Sequence, residues 1–469
     1  CTCWIPGPAR YRACGCGKLR ATDSLNSGVA RREVLGWAMY DFANSGYTTV
    51  VLTAVFNAYF VGVVADGATW GTLAWTLTLG FSNALVMLTM PVIGAYADAR
   101  AAKKKLLMVC TAGCVVATAL LAQVGRGDLV LAVVAVVLSN LFYAYGESLN
   151  AAFLPELARR EAMGRVSGWG WSFGYAGGML TLGLSLAYVL WAQGQGLPAT
   201  HFVPITMLIT AVVYGVASLF TFWLLKERAV AQPPAVSSAG NVGQADEAGQ
   251  LDRVASVGSA APGAWQRLAR TWHEARRFED FKWLLTCALF YQAGISVVIA
   301  LAAVYAEQVL GFKQIDTMML IFLVNIASAI GAFAFGHWQD RIGHRRALAI
   351  TLWGWVVMTL LAVAATSAPL FWVAAVLAGL CMGSSQSAGR AMAALLAPAN
   401  RVAEFFGLWT VAVRLSAIVG PITYGLVTVA TGGNHRIAIL STGLFFVLGL
   451  WVLRRVDMTR GMATARAVA

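Results

Sequence analysis

The sequence predicts an all-α integral membrane protein with twelve transmembrane helices in two six-helix bundles and both termini cytoplasmic. Three observations predict it. The chain of 469 residues is 59% hydrophobic and only 12% charged, with a mean hydropathy of +0.69, so it cannot present an ordinary charged surface to water. Its apolar segments come close to the roughly 20 residues needed to cross hydrocarbon as helices, or exceed it. One short basic turn also occurs twice, at corresponding places in the two halves of the chain.

The first six apolar segments run at about 37–64, 73–97, 106–124, 129–149, 166–191 and 202–225. Six more follow at about 281–305, 318–335, 347–365, 370–396, 405–429 and 437–453. The loops between them alternate in charge as a serpentine chain requires. Arg31 and Arg32, Arg100 to Lys105, Arg159, Arg160 and Arg165, the central linker, Arg341, Arg345 and Arg346, Arg401, and Arg454 and Arg455 all fall on one side. The other side carries only Arg126, Lys313 and Arg436. The cation excess marks the first side as cytoplasmic. It also accounts for the net charge of +13 without a polyanionic partner, so no nucleic acid is expected. Seventeen tryptophans suit interfacial belts and 47 glycines suit closely packed membrane helices.

The expected organisation is an N-terminal tail (1–32), a first six-helix bundle (33–226), a cytoplasmic linker (227–280), a second bundle (281–456) and a C-terminal tail (457–469). The linker is rich in Ala, Gly, Ser, Pro and Gln to about residue 263 and reads as a flexible connector. After it, Trp265, Leu268 and Trp272 share one helical face, ringed by Arg267, Arg270, Arg276 and Arg277. That pattern suits a helix lying in the membrane interface. No apolar core follows the basic residues before Val34, so no cleavable signal peptide is expected. Cys1, Cys3, Cys14 and Cys16 have C-x-C spacing in the tail, but no His or acid backs them and no metal is expected.

The repeated turn is the most specific signal. Its first copy runs Gly94-Ala-Tyr-Ala-Asp98 into Arg100, Lys103, Lys104 and Lys105. The second runs Gly336-His-Trp-Gln-Asp340-Arg341 into Gly343, Arg345 and Arg346. Glycine lets helices approach, and an acid can hold cations beside a neighbouring helix end. These turns resemble the signature loop of the major facilitator superfamily, found between helices two and three and again between eight and nine. The second copy is nearly complete; the first has Ala99 where an arginine is usual and Ala101 where a glycine is usual. The resemblance implies a cytoplasmic gate of Gly94, Asp98, Arg100, Lys103, Gly336, Asp340, Arg341 and Arg345, with the acids and their cationic neighbours latching the helix ends.

Charges inside a bilayer cost about 2.5–3.5 kcal/mol even on the lenient insertion scale, so each needs a reason. They are few: Asp41 in helix one, Glu147 in four, Glu307 at the end of seven, Arg390 in ten and Arg414 in eleven. Glu307 reads as interfacial, and Asp41 lies nearer the cytoplasmic end than the midplane. Pairing an acid of the first half with an arginine of the second would satisfy both across the space between bundles. Protonating the acid would then alter the pairing, which is a means of coupling a proton to motion.

Helix one reads Tyr40-Asp41-Phe42-Ala43-Asn44-Ser45. It resembles the opening of the vacuole-effluxer-like branch of the major facilitators. Asn150-Ala-Ala-Phe-Leu-Pro155-Glu156, Gly174-Tyr-Ala-Gly177-Gly178, Gly383-Ser-Ser-Gln386 through Arg390, Glu404-Phe-Phe-Gly407 and Gly420-Pro421 extend the likeness across the membrane region. Two departures fall where function would be decided. Helix seven carries Tyr291-Gln292-Ala293-Gly294 where the family usually has an acid, and Arg414 stands where it tends to have lysine.

The resemblance implies secondary transport of a small solute by alternating access, with amino acids as the suggested class; the intramembrane acids point to protons as the coupling ion. The residues point to Tyr40, Asp41, Asn44, Glu147, Asn150, Tyr291, Gln292, Asn325, Gln386, Arg390 and Arg414 as cavity candidates. Expected partners are the solute and membrane lipids, with the chain acting as a monomer in the bacterial inner membrane and needing no cofactor. Two other readings stay open: a lipid or lysolipid carrier, and a non-transporting receptor with the same fold. Enzymatic readings are excluded on context. Gly170-Trp-Ser-Phe-Gly174 matches the G-x-S-x-G hydrolase elbow but lies inside an apolar helix, where Gly170, Gly174 and Gly178 form a packing face. No G-x-x-x-x-G-K-[ST] phosphate loop occurs.

Overall fold

Hydrocarbon offers a backbone no hydrogen bonds, so each apolar segment closes its own as a helix. The computed structural model describes residues 24–68, 70–229, 278–310, 312 and 314–468. The tail cysteines, the Trp265 segment and the Glu307 side chain lie outside what is described. Among the described residues, twelve helices are long and apolar enough to cross a membrane. They are α1 (Arg31–Val64), α2 (Gly71–Ala99), α3 (Lys103–Leu120), α4 (Leu129–Ala151), α5 (Met163–Gly194), α6 (Ala199–Leu224), α7 (Glu279–Leu310), α8 (Gln314–Ile342), α9 (His344–Ala364), α10 (Ala368–Leu396), α11 (Val402–Ala430) and α12 (His435–Leu453). A short α13 (Met458–Ala467) follows.

Several helices outrun their apolar segments at the end carrying the basic loops. α1 starts at Arg31, α5 at Met163, and α8 continues to Ile342. Hydropathy marks only the apolar length; the polar turns of α5 and α8 meet across the two bundles, and the first turn of α1 is held by Arg228 on Glu33. α1 is irregular in its second half, where Thr48–Ala54 and Phe60–Val64 open into wider π turns. Thr48 and Thr49 donate back to the Asn44 and Ser45 carbonyls, and Thr53 to Thr48. These β-branched residues give their hydroxyls to the backbone at the cost of regular winding.

The twelve helices form two six-helix bundles. The halves meet chiefly where α2 lies against α11 and where α5 lies against α8 and α10. Outward faces stay apolar, with Leu73, Leu77, Phe81, Val109, Val116 and Leu219 exposed. Exposed tryptophans lie near helix ends at Trp70, Trp191, Trp223, Trp338 and Trp451, as interfacial anchors do, while Trp353 is exposed in the middle of α9.

Glycine is required at the turn between α8 and α9, where Gly343 has φ +90°. The corresponding residue between α2 and α3 is Ala101, also left-handed at φ +47°. Both turns thus use a positive φ at this position, and in the first an alanine carries the strain. Ala101→Gly is therefore expected to stabilise the protein by about 0.5 kcal/mol, the relief of that strain less glycine's greater unfolded entropy. Thermal unfolding in detergent, compared with Gly343→Ala, which should destabilise, measures it.

At the basic-loop end each bundle is tied to its flanking chain. Glu227 accepts from the Lys103 and Lys104 amides, and Arg228 reaches Glu33. In the second half, Asp280 at the start of α7 accepts from the Asp457 amide and from Nε and Nη2 of Arg460, each at 2.8 Å, docking α13 beneath the bundle.

Candidate functional site

The inter-bundle face is built in three layers, starting at the basic-loop end. Helix starts leave amide N–H groups without partners, and an acid from elsewhere can take them. Asp98, at the end of α2, accepts from the Glu404 amide at 2.9 Å, in the first turn of α11. Asp340, at the end of α8, accepts from the Gly164 amide at 2.9 Å and the Arg165 amide at 3.0 Å, in the first turn of α5. Each signature acid thus caps a helix of the other half, and the two caps repeat one another.

Glycines bring the backbones close enough for this. A Cβ on Gly94 would stand 2.7 Å from the Ala403 carbonyl carbon, and one on Gly336 would stand 2.7 Å from the Gly164 oxygen. One layer further in, Gly407 abuts Pro91 and Gly168 abuts Ala332 across the same two seams. The basic-loop end is sealed.

The neighbouring cations do not bridge the halves as the latch expectation required. Arg100 is exposed and lies over its own Tyr96 ring at 4.8 Å. Lys103 pairs with Glu156 inside the first bundle. Arg345 donates to the Arg454 carbonyl in its own half, and Arg341 is exposed. The helix starts already satisfy the acids, which leaves these long side chains to their own bundle. In this layer, among the described residues, Arg165 faces an acid of the other half, with Nε 3.9 Å from Asp340.

The second layer joins α1, α4, α5 and α10. Arg390 Nη1 lies 2.6 Å from Asp41 Oδ2. Its Nη2 donates to the Ser167 carbonyl at 2.8 Å and its Nε to the Ser167 hydroxyl at 3.2 Å. The guanidinium lies 4.7 Å from the Trp37 ring and 5.2 Å from the Trp171 ring, the packing a planar cation favours. Asn150 donates to Asp41 Oδ1 at 3.1 Å, and its carbonyl accepts from Trp37 Nε1 at 2.8 Å. Gly170 makes the space: the edges of Asp41 and Arg390 occupy where its Cβ would be. The glycine face of α5 therefore packs on α1, as Gly174 against Ser45 also shows.

The third layer lies toward the opposite end. Arg414 Nη2 donates to Glu147 Oε2 at 2.9 Å, linking α11 to α4. The Arg414 guanidinium stands 5.5 Å from the Tyr143 ring, which stacks on Tyr47 at 5.1 Å. Beside these layers Gln292 donates to Gln386 at 2.7 Å between α7 and α10.

The remaining candidates are not brought into these layers. Tyr40 and Asn44 turn into the first bundle. Tyr214 donates to Asn44 at 2.7 Å and to the Tyr40 hydroxyl at 3.3 Å, and Tyr40 also meets Thr111. Asn325 donates to its own helix at Ile321. Tyr291 is fully buried against Gly389 and Gly449 with its hydroxyl unpartnered. Ser167, Trp37, Trp171 and Tyr143 were not singled out from sequence. A usable signal existed: Trp37 precedes Asp41 by four residues, Tyr143 precedes Glu147 by four, and Trp171 follows Ser167 by four, one helical turn in each case.

A family model described as vacuole effluxer Atg22 like matches residues 74–466. The chain belongs to that family. Among relatives of this vacuole effluxer-like chain, the Bacillus subtilis protein described as an uncharacterized MFS-type transporter, YxiO, is 24% identical over 422 residues, covering 89% of this chain and 93% of that protein. Autophagy-related protein 22 of Yarrowia lipolytica is 26% identical over 343 residues; the match takes in 70% of this chain and 56% of the fungal protein. Among solved structures, the human organic anion transporter MFSD10 (TETRAN) superposes with a TM-score of 0.68 at 17% identity, covering 90% of this chain and 99% of that one. At that identity the likeness speaks for the major facilitator fold. With the family match it supports a transporter role.

Proposed function

We propose that this chain is a secondary active transporter that carries a small water-soluble solute between its two bundles by alternating access, driven by a proton gradient. The observation that carries the reading is the pair of arginine–carboxylate contacts spanning the halves, Arg390 with Asp41 and Arg414 with Glu147. Charges at this depth are costly unless paired. Placing the partners on opposite bundles makes the pairing energy depend on how the bundles stand to one another, which is what a rocking carrier needs. The Asp98 and Asp340 caps act in the same way at the sealed end. The basic-loop end faces the cytoplasm by the positive-inside rule, and the protein works as a monomer in a bacterial plasma membrane. Amino acids are the solute class to try first, since a guanidinium fits their carboxylate at two points.

The test is uptake into proteoliposomes of the purified full chain under an imposed acid gradient, against amino acids, small peptides, nucleosides, sugars and lysolipids. Accumulation of one water-soluble class above equilibrium, abolished by a protonophore, is expected. Movement of lysolipid alone, or of nothing, contradicts the proposal.

A further inference from the structure

We infer that Glu147 and Arg414 are where a proton and the carboxylate of the solute exchange, while Asp41 and Arg390 form a latch that does not touch the solute. This rests on the transporter reading above and assigns different work to two pairs that look alike in sequence.

They differ first in reach. The side chain of Glu147 is 38% exposed and that of Arg414 behind it 12%, whereas those of Asp41 and Arg390 are 12% and 8% exposed, so the difference lies in the acid. They differ also in spare bonding capacity. Arg390 spends Nε, Nη1 and Nη2 on Ser167 and Asp41 and is held between two indole rings. Each of its three nitrogens is thus already engaged by the protein. Arg414 makes one hydrogen bond to Glu147, through Nη2, and its Nε is buried with no partner. A guanidinium presents paired donors that fit a planar carboxylate at two points. Glu147 engages it at one, so a solute carboxylate that takes both satisfies a donor the resting pair leaves stranded.

Displacing Glu147 has a consequence. It would then stand beside a second carboxylate with no counter-charge, and a like charge at that range favours the protonated acid. Around it stand Arg414 from α11 and Tyr143 one turn back on α4, with Tyr47 from α1 stacked on Tyr143, while Asp41 of α1 is held by Arg390. α2 meets α4 through Ser82 and Thr89. Tyr47 is already engaged with Ser139, and Arg414 is the cation among them. Glu147 therefore gains one O–H bond, its proton coming from water at the exposed face, as one carboxylate settles on Arg414. When the solute leaves, that proton leaves and the original pair re-forms. Each cycle moves one proton with one carboxylate, in the same direction.

The experiment uses the full chain in proteoliposomes with radiolabelled L-alanine, L-glutamate and lactate as carboxylate probes, and alaninamide, glucose and uridine as probes lacking one. At least one carboxylate probe should accumulate under an acid gradient. Glu147→Gln should lose accumulation of that probe and the pH dependence of its exchange, since the amide cannot titrate. Arg414→Ala should lower exchange by about 30-fold, with Arg414→Lys intermediate. A merely structural pair would lower exchange in Glu147→Gln without uncoupling it. Continued concentration by Glu147→Gln, or carriage of glucose, uridine or alaninamide unaffected by Arg414→Ala, overturns this inference while leaving the transporter reading intact. Failure of folded wild-type protein to carry any probe overturns both. Thermal unfolding of each variant separates loss of the site from loss of the fold.

Discussion

Replacing Arg390 with alanine is expected to unseat the sealed state and release the basic-loop end. The change strands Asp41 within the seam, where Asn150 remains its hydrogen-bond donor and no cation stays within ion-pairing distance among the described residues. Breaking one side of a buried pair costs about 3–5 kcal/mol. That cost falls almost wholly on the sealed state, because opening the seam returns Asp41 to water. A shift of about 3 kcal/mol is more than a hundredfold in the balance of two states. The removed guanidinium also leaves Trp37 and Trp171 without the cation between them, which adds to the same side. The readout is a cysteine at Ser387, fully buried in the seam against the Ser167 hydroxyl. Its reaction with a membrane-impermeant thiol reagent should rise by about 100-fold in Arg390→Ala. Joint replacement of Asp41 and Arg390 by alanine should recover much of the protection, since no charge is then left buried. Equal reactivity in all forms would mean that the pair does not hold the seam.

The second large effect is steric. Gly94→Val should abolish transport while leaving each bundle folded. The added Cβ would lie 2.7 Å from the Ala403 carbonyl carbon and 2.9 Å from the Glu404 Cα. Both are backbone atoms of α11 and cannot rotate aside. Overpacking costs typically 1–3 kcal/mol where side chains can adjust, and more where only the separation of the halves can relieve it. Because the clash is between bundles, the protein has an escape, which is to stay open at that end. Gly80→Val on the same helix is the control, since no atom other than its own helix lies within 4 Å. Transport and thermal unfolding measured together decide: loss of transport with little loss of stability is expected for position 94, and neither for position 80.

Much of this was legible in the residues. Hydropathy defines helices well because hydrocarbon forces backbone closure, and it placed all twelve spans; it missed only the polar extensions such as Met163–Val166, which are held by contact with the other bundle. The few membrane-embedded charges were legible because burying them is costly, and pairing across the halves was the arrangement that relieved the cost. Which acid meets which arginine was not, since the partners lie hundreds of positions apart in the chain. Polarity alone misled at Tyr40 and Asn44: they share α1 with Asp41, yet the rotation of that helix turns them inward to Tyr214. Polarity also missed Ser167 and Trp171, whose roles come from facing Arg390. At the signature turns the glycines and aspartates were legible as a repeated pair, but the aspartates cap amides of the other half, and amides have no signature in sequence.

The central claim is that the two bundles rock about the paired charges, sealed at the basic-loop end in the state described. Electron-spin distance measurements test it most directly, with the eight native cysteines replaced and labels in two separate pairs. Arg100 and Arg346, both exposed, report the basic-loop end; Gln195 and Ser367, both exposed, report the other. Reciprocal change is predicted: when acid and solute are added, or in Arg390→Ala, the Arg100–Arg346 distance lengthens as the Gln195–Ser367 distance shortens. Distances at both ends that stay fixed under every condition, or that lengthen together, would contradict the account.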